Sequence, residues 1–279
     1  MTDDATAALQ RIADALDRLA PPPSASADPL AHPAYLWRND ALIPARHFAP
    51  LPLHLLLGID DQKAELRDTL ARLAAGHAAH DVLLWGARGT GKSALVKSAV
   101  ADVQAAGGAL ALIEIASDAL ATLPRLFDAI EGANRGFALF IDDLGFDAAG
   151  AARPLRSMLE GGAEARPGNA RFVVTSNRRH LLPRNLEEQS SAINPRDSID
   201  DQLALADRFG LSLGFHVLDQ AGYLAIVEGY AVAFGLPIRP DEAVRWATQR
   251  GARSGRVAWQ YIVDLAGADK KALVIRSGQ

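Results

Sequence analysis

The sequence contains no cysteine among its 279 residues, which excludes a disulfide framework and any thiolate metal site. No apolar run approaches the roughly 20 residues that cross a bilayer. The longest candidate, residues 217–236, is interrupted by Asp219, Gln220 and Glu228. The opening residues Met1-Thr2-Asp3-Asp4 are acidic with no apolar segment behind them, unlike a secretory leader. Blocks of Lys or Arg are missing too. With 29 basic and 33 acidic residues the net charge is −4, so a broad electrostatic footprint for nucleic acid is absent and only a local basic loop stays open. These absences lead to the expectation of a cytoplasmic protein without membrane contact. What is present, 49% hydrophobic and 22% charged residues, is ordinary globular composition sufficient for a core. The length fits one large domain or two unequal ones.

Leu9, Ile12, Leu16 and Leu19 recur at steps of three and four, which predicts an amphipathic helix over residues 6–20. That helix either pairs with a copy of itself or docks on the main domain. Pro21-Pro22-Pro23 stops it, and residues 24–33 read as an extended linker. A second helix is expected at 60–75. From there apolar strands at 82–85, 109–115, 137–141, 171–175 and 211–217 alternate with helices at 91–106, 123–132, 154–160 and 201–207. Continuously apolar strands separated by helices indicate a parallel sheet covered on both faces. After Asp219 only helical patterns remain, at 220–234, 241–250 and 254–266. The expected organisation is an N-terminal helix and linker over 1–33, an α/β domain over 34–218, and a small helical domain over 219–279.

Gly86-Ala87-Arg88-Gly89-Thr90-Gly91-Lys92-Ser93 fits the pattern G-x-x-x-x-G-K-[ST], placed after a strand and opening a helix. The glycines let the backbone curl so that N–H groups face phosphate oxygens, and the helix adds the positive end of its dipole. Lys92 then neutralises the β- and γ-phosphates, and the Ser93 hydroxyl ligates Mg²⁺. A second apolar strand ends in Asp142-Asp143. A parallel sheet gathers ligands at the carboxyl ends of its strands, so Asp142 is the candidate for the magnesium shell. Asp143 is the candidate for orienting or deprotonating the attacking water. Alone, such a pair also serves to cap a turn.

The strand at 171–175 closes on Thr175-Ser176-Asn177. If it lies between the two preceding strands, Asn177 faces the γ-phosphate and bonds the attacking water; the alternative is a turn residue. Arg208, in Asp207-Arg208-Phe209-Gly210, is the candidate arginine supplied to a neighbouring subunit's site, with a structural salt bridge as the plain alternative. Ser254 is positioned to cap a helix whose first turn holds Arg256. A cation there opposes the helix dipole unless an anion compensates, and a phosphate of ATP is such an anion. Arg253 is the alternative. The polar stretch 178–200 is long enough for a partner-binding loop. No Asn-Lys-x-Asp string occurs, against a GTPase, and no Leu-Ser-Gly-Gly-Gln string, against a transporter ATPase.

In this order the elements resemble the AAA+ module of P-loop ATPases, with Walker A at 86–93, Walker B at 137–143, sensor 1 at Asn177, the arginine finger at Arg208 and sensor 2 at Arg256. The strings Leu83–Ser93, Thr175–Pro183 and Ser254–Gln260 more narrowly resemble a bacterial ATP-binding AAA+ family, domain-of-unknown-function family 815. The resemblance implies a parallel five-stranded sheet of order 5-1-4-3-2 with a helical lid, ATP and Mg²⁺ at subunit interfaces, and ring or filament homo-oligomers. It also implies adenine contact by residues 57–59, Ile59 among them. The function it implies is remodelling of a protein or nucleic-acid partner by ATP hydrolysis; a slow ATP-dependent switch or loader, and a small-molecule kinase, are the other classes considered. One departure bears on rate: many AAA+ enzymes carry Asp-Glu where this chain has Asp142-Asp143, and the shorter acid reaches less far.

Overall fold

The computed structural model describes residues 2–19, 26–144, 155, 158–159, 165–177 and 206–273. The predicted loop at 178–200 lies outside them. So do most of the expected helices at 154–160 and 201–207, of which Leu155, Met158, Leu159 and Ala206 are helical.

Seven strands form one sheet in the order β2-β1-β4-β5-β6-β3-β7. They are β1 (Ala34–Arg38), β2 (Ala41–Pro44), β3 (Val82–Gly86), β4 (Leu110–Ile115), β5 (Gly136–Ile141), β6 (Ala170–Ser176) and β7 (Leu211–Phe215). The five strands expected from sequence occupy consecutive places and run parallel. The expectation of a purely parallel, five-stranded sheet is nevertheless wrong. β1 adds in parallel to the β4 edge, and β2 pairs with β1 antiparallel, so the sheet is mixed. The two extra strands form a tight hairpin through Asn39 and Asp40, both with positive φ (52° and 56°), the geometry that a two-residue turn requires.

The period-two alternation of the strands sorts their side chains into two layers. Phe137, Leu139 and Ile141 of β5 join Phe172 and Val174 of β6 in one core, under helix α4 (Leu123–Ile130). Ala138, Phe140 and Val173 face the other, under α2 (Asp60–Ala74) and α3 (Lys92–Ala105). β5 and β6 are thus apolar on both faces, as the doubly covered centre of a sheet demands. A third core is packed by α5 (Gln220–Ala233), α6 (Pro240–Gln249) and α7 (Gly255–Ala268) around Tyr223, Tyr230, Tyr261 and Ile262. Helix α1 (Thr2–Leu19) is amphipathic, as its spacing predicts. No helix among the described residues is long and apolar enough to cross a membrane.

The carboxyl ends of β3, β6 and β5 come together because β6 lies between the other two, with Trp85 opposite Ser176 and Ile141 opposite Val174. Gly86 closes β3 at φ 131°, and a β-carbon there would sit 2.0 Å from the carbonyl oxygen of Phe215. Neither strand can give way, since the two are bonded along their length. Gly86→Ala is therefore expected to destabilise the fold by about 3 kcal/mol or more. A thermal melt indistinguishable from wild type would contradict this close approach.

Candidate functional site

The turn from β3 into α3 is built by left-handed glycines, Gly89 at φ 78° and Gly91 at φ 98°. The Thr90 hydroxyl fastens it by donating to the Ala87 carbonyl at 2.8 Å. No side chain caps α3, whose amino end starts at Lys92. Its first N–H groups therefore remain donors for an anion.

Lys92 is 5% exposed. Its ammonium donates to the carbonyls of Gly86 (2.9 Å) and Ala87 (2.8 Å) and to Asn177 Oδ1 (3.1 Å). Burial pulls its pKa below the ordinary lysine value; Asp143 and Asp142 oppose the shift, and Arg88 and Arg256 reinforce it. Five charged groups thus act on one another across the cleft, three cations against two carboxylates.

The acids follow directly on β5. Asp142 Oδ1 accepts hydrogen bonds from Ser93 Oγ and Thr175 Oγ1, each at 2.6 Å. Thr175 Oγ1 in turn accepts from the Asp143 N–H at 2.8 Å. Asp143 has φ 54°, a left-handed conformation that aspartate tolerates better than most side chains. Its carboxylate is held by Asn177 Nδ2 and by Arg88 at 3.2 Å. A continuous chain runs Lys92–Asn177–Asp143–Arg88, and Asn177 takes its place in it from the end of β6, the position that the intermediate strand requires.

The donor set around Asp142 suits a hard divalent cation. One carboxylate and one hydroxyl converge, and no group of three or more His, Cys, Asp or Glu that could hold a metal occurs among the described residues. Magnesium keeps several waters and phosphate oxygens and takes few protein ligands, so the residues present fit Mg²⁺ held by Ser93 and Asp142.

The helical unit closes the cleft. Ser254 caps α7 through its side chain, accepting from Val257 N at 3.3 Å. The Arg256 N–H donates to the Gly89 carbonyl at 3.3 Å. The amino end of α7 therefore rests on the glycine-rich turn, with exposed Arg256 beside it; Arg253 instead bonds Gln220 on α5, at 3.4 Å. The cleft has a volume of about 520 Å³. Its lining is polar from Arg88 to Ser93 with Asp142, Asp143 and Asn177, and apolar and aromatic at Leu56, Leu57, Ile59, Ile226, Tyr230 and Trp259.

Sequence reasoning missed Thr175, which ties both acids to β6, and the aromatic wall. Tyr230 and Trp259 meet edge to face at 5.4 Å. Arg208 is not brought to this cleft: it follows Ala206 in a turn and precedes Phe209, which is buried in the first core.

A family model described as "Protein of unknown function (DUF815)" matches residues 30–269. No curated protein sequence matches. Among solved structures the chain is similar to the RuvB Holliday junction branch migration motor of Thermotoga maritima, at 19% identity and TM-score 0.52, over 80% of this chain and 67% of that one. It is similar to the Aeropyrum pernix ORC1 protein in complex with DNA, at 17% identity and TM-score 0.53, over 81% and 66% respectively. It is also similar to the FIGL-1 AAA domain in complex with ADP, at 16% identity and TM-score 0.53, over 80% and 76%. The fold is that of the AAA+ P-loop NTPases.

Proposed function

The chain belongs to the DUF815 family, and from that premise and the cleft geometry we propose that it binds ATP with Mg²⁺ and hydrolyses it, coupling the reaction to remodelling of a macromolecular partner. One observation carries the reading. A cation-lined, glycine-rich turn, two acids and an apolar and aromatic group line one and the same cleft, the mix of surfaces that a nucleoside triphosphate needs.

Lys92 and Arg256 bind the phosphate tail from opposite walls, one at each helix amino end. Ser93 and Asp142 hold the magnesium ion, which when bound neutralises charge on the phosphate oxygens. Asp143 accepts a proton from the attacking water while Asn177 orients it. Leu57, Ile59, Tyr230 and Trp259 line the part of the cleft that receives adenine. Arg208, outside its own chain's cleft, completes the site of a neighbouring copy in a ring or filament. The domain limits 1–33, 34–218 and 219–279 serve this scheme as arm, motor core and lid.

The kinship in fold with a branch migration motor supports work on a partner, while the net charge of −4 gives no support for nucleic acid as that partner. A second reading, a slow nucleotide-dependent switch or loader, is favoured by one feature: the short Asp143 carboxylate is engaged by both Arg88 and Asn177 and must be released before it acts.

Titration calorimetry of the purified chain with Mg-ATP tests the common ground of both readings. Binding with Kd below about 1 mM is expected, in the range of enzyme–substrate affinities; absence of any heat with adenine nucleotides would overturn both. Phosphate release per subunit then separates a motor from a switch.

A further inference from the structure

The sheet is closed on one face and open on the other at its β1–β2 end. Tyr35, Trp37 and Leu42 enter the first core and are at most 2% exposed. On the opposite face α2 and α3 lie over β4, β5 and β6, and Leu36 and Ile43 remain only half-buried. With Phe48, from the segment after β2, they line a groove of about 800 Å³ that shares no lining residue with the nucleotide cleft. The rim carries two cations. Arg38 and Arg46 are exposed, and no ion pair among the described residues engages either.

A second surface of the same chain lacks a cover among the described residues. On α1, Leu9 is 67% and Ile12 56% exposed. The helix carries four aspartates against two arginines, the charge opposite to the rim. The chain that leaves it is fastened beside the groove: Leu42 N donates to Ser26 Oγ at 3.0 Å, and Ala27 N donates to the Leu42 carbonyl at 2.9 Å, one residue from Ile43. Between Leu19 and Ser26 the sequence holds six residues, three of them consecutive prolines. At about 3.3–3.6 Å per residue such a tether reaches roughly 25 Å, and proline favours extension over folding back. Helix and groove are therefore complementary in charge and polarity, joined at short range, and uncovered by the described residues of one chain.

We propose that α1 of one copy lies in the β1–β2 groove of a second copy, Leu9 and Ile12 against Leu36, Ile43 and Phe48, with its aspartates toward Arg38 and Arg46. The exchange of an identical element between protomers gives assembly at little cost. It is independent of the nucleotide reading.

The cysteine-free sequence makes the test direct. Full-length Ile12→Cys protein and full-length Ile43→Cys protein are mixed at micromolar concentration under mild oxidation. The expected main product is the mixed disulfide dimer. Adding Leu9→Asp to the first protein should lower its yield at least about tenfold, as should Arg38→Glu with Arg46→Glu in the second. Thermal melts of all variants should stay near wild type, since the substituted side chains lie at the surface or half-buried. Three outcomes would overturn the proposal: no mixed dimer, dominant Ile12→Cys self-crosslinking, or, in a third protein carrying both Ile12→Cys and Ile43→Cys, a disulfide formed only within one chain.

Discussion

Lys92→Ala is expected to bind ATP at least about 100-fold more weakly than the wild type while still melting as a folded protein. The lysine offers charge-assisted hydrogen bonds to phosphate oxygens, each worth about 1.5–3 kcal/mol, and two of them set the minimum loss. Truncation leaves the Gly86 and Ala87 carbonyls without their ammonium donor, a cost confined to the glycine-rich turn. The hydrophobic layers on either side keep every other contact. Calorimetry and a thermal melt on the same preparation separate the two effects, and undiminished affinity would remove Lys92 from the phosphate site. The lowered pKa of Lys92 adds a sign. Affinity should fall as pH rises through that pKa, because the neutral amine loses its charge toward the phosphates.

Asp143→Asn is expected to retain ATP binding and to lose turnover by about 10²- to 10⁴-fold, the contribution of a positioned general base. The substitution suits its site. Residue 143 has φ 54°, and asparagine adopts that left-handed conformation at least as readily as aspartate. The amide keeps an acceptor for Asn177 and loses the charge and the acceptor that face exposed Arg88. A loss of phosphate release with binding intact is therefore attributable to the missing base. Normal turnover would show that the acid is dispensable, and the role would then fall to another group.

Much of the cleft's polar lining was legible in the sequence because the proposed chemistry fixes residue types at fixed spacing. Gly86 through Ser93 specify curl, cation and hydroxyl in eight positions, and Asp142-Asp143 ends an apolar strand whose placement follows from the parallel sheet. Asn177 was inferred on the condition that its strand lies between the other two, and β6 does lie there. Thr175 was overlooked because a threonine at a strand end carries no signal of its own; its importance arises only when Asp142 and the Asp143 N–H approach it from β5. Tyr230 and Trp259 escaped for the opposite reason. Aromatic residues at helical spacing read as core, and these belong partly to the third core while also facing the cleft. The β1–β2 hairpin was missed although Asn39-Asp40 between two short apolar segments is a turn signal. Its strands are short, so neither builds a long alternating pattern.

The hydrogen bond between Arg256 N and the Gly89 carbonyl has a mechanical consequence. It makes the glycine-rich turn a wall shared with the helical unit, so on the proposed function a triphosphate that reshapes that turn would push on the tip of α7. The three-helix body behind α7 would then follow as a lever arm, its tilt relative to the sheet set by what the turn holds.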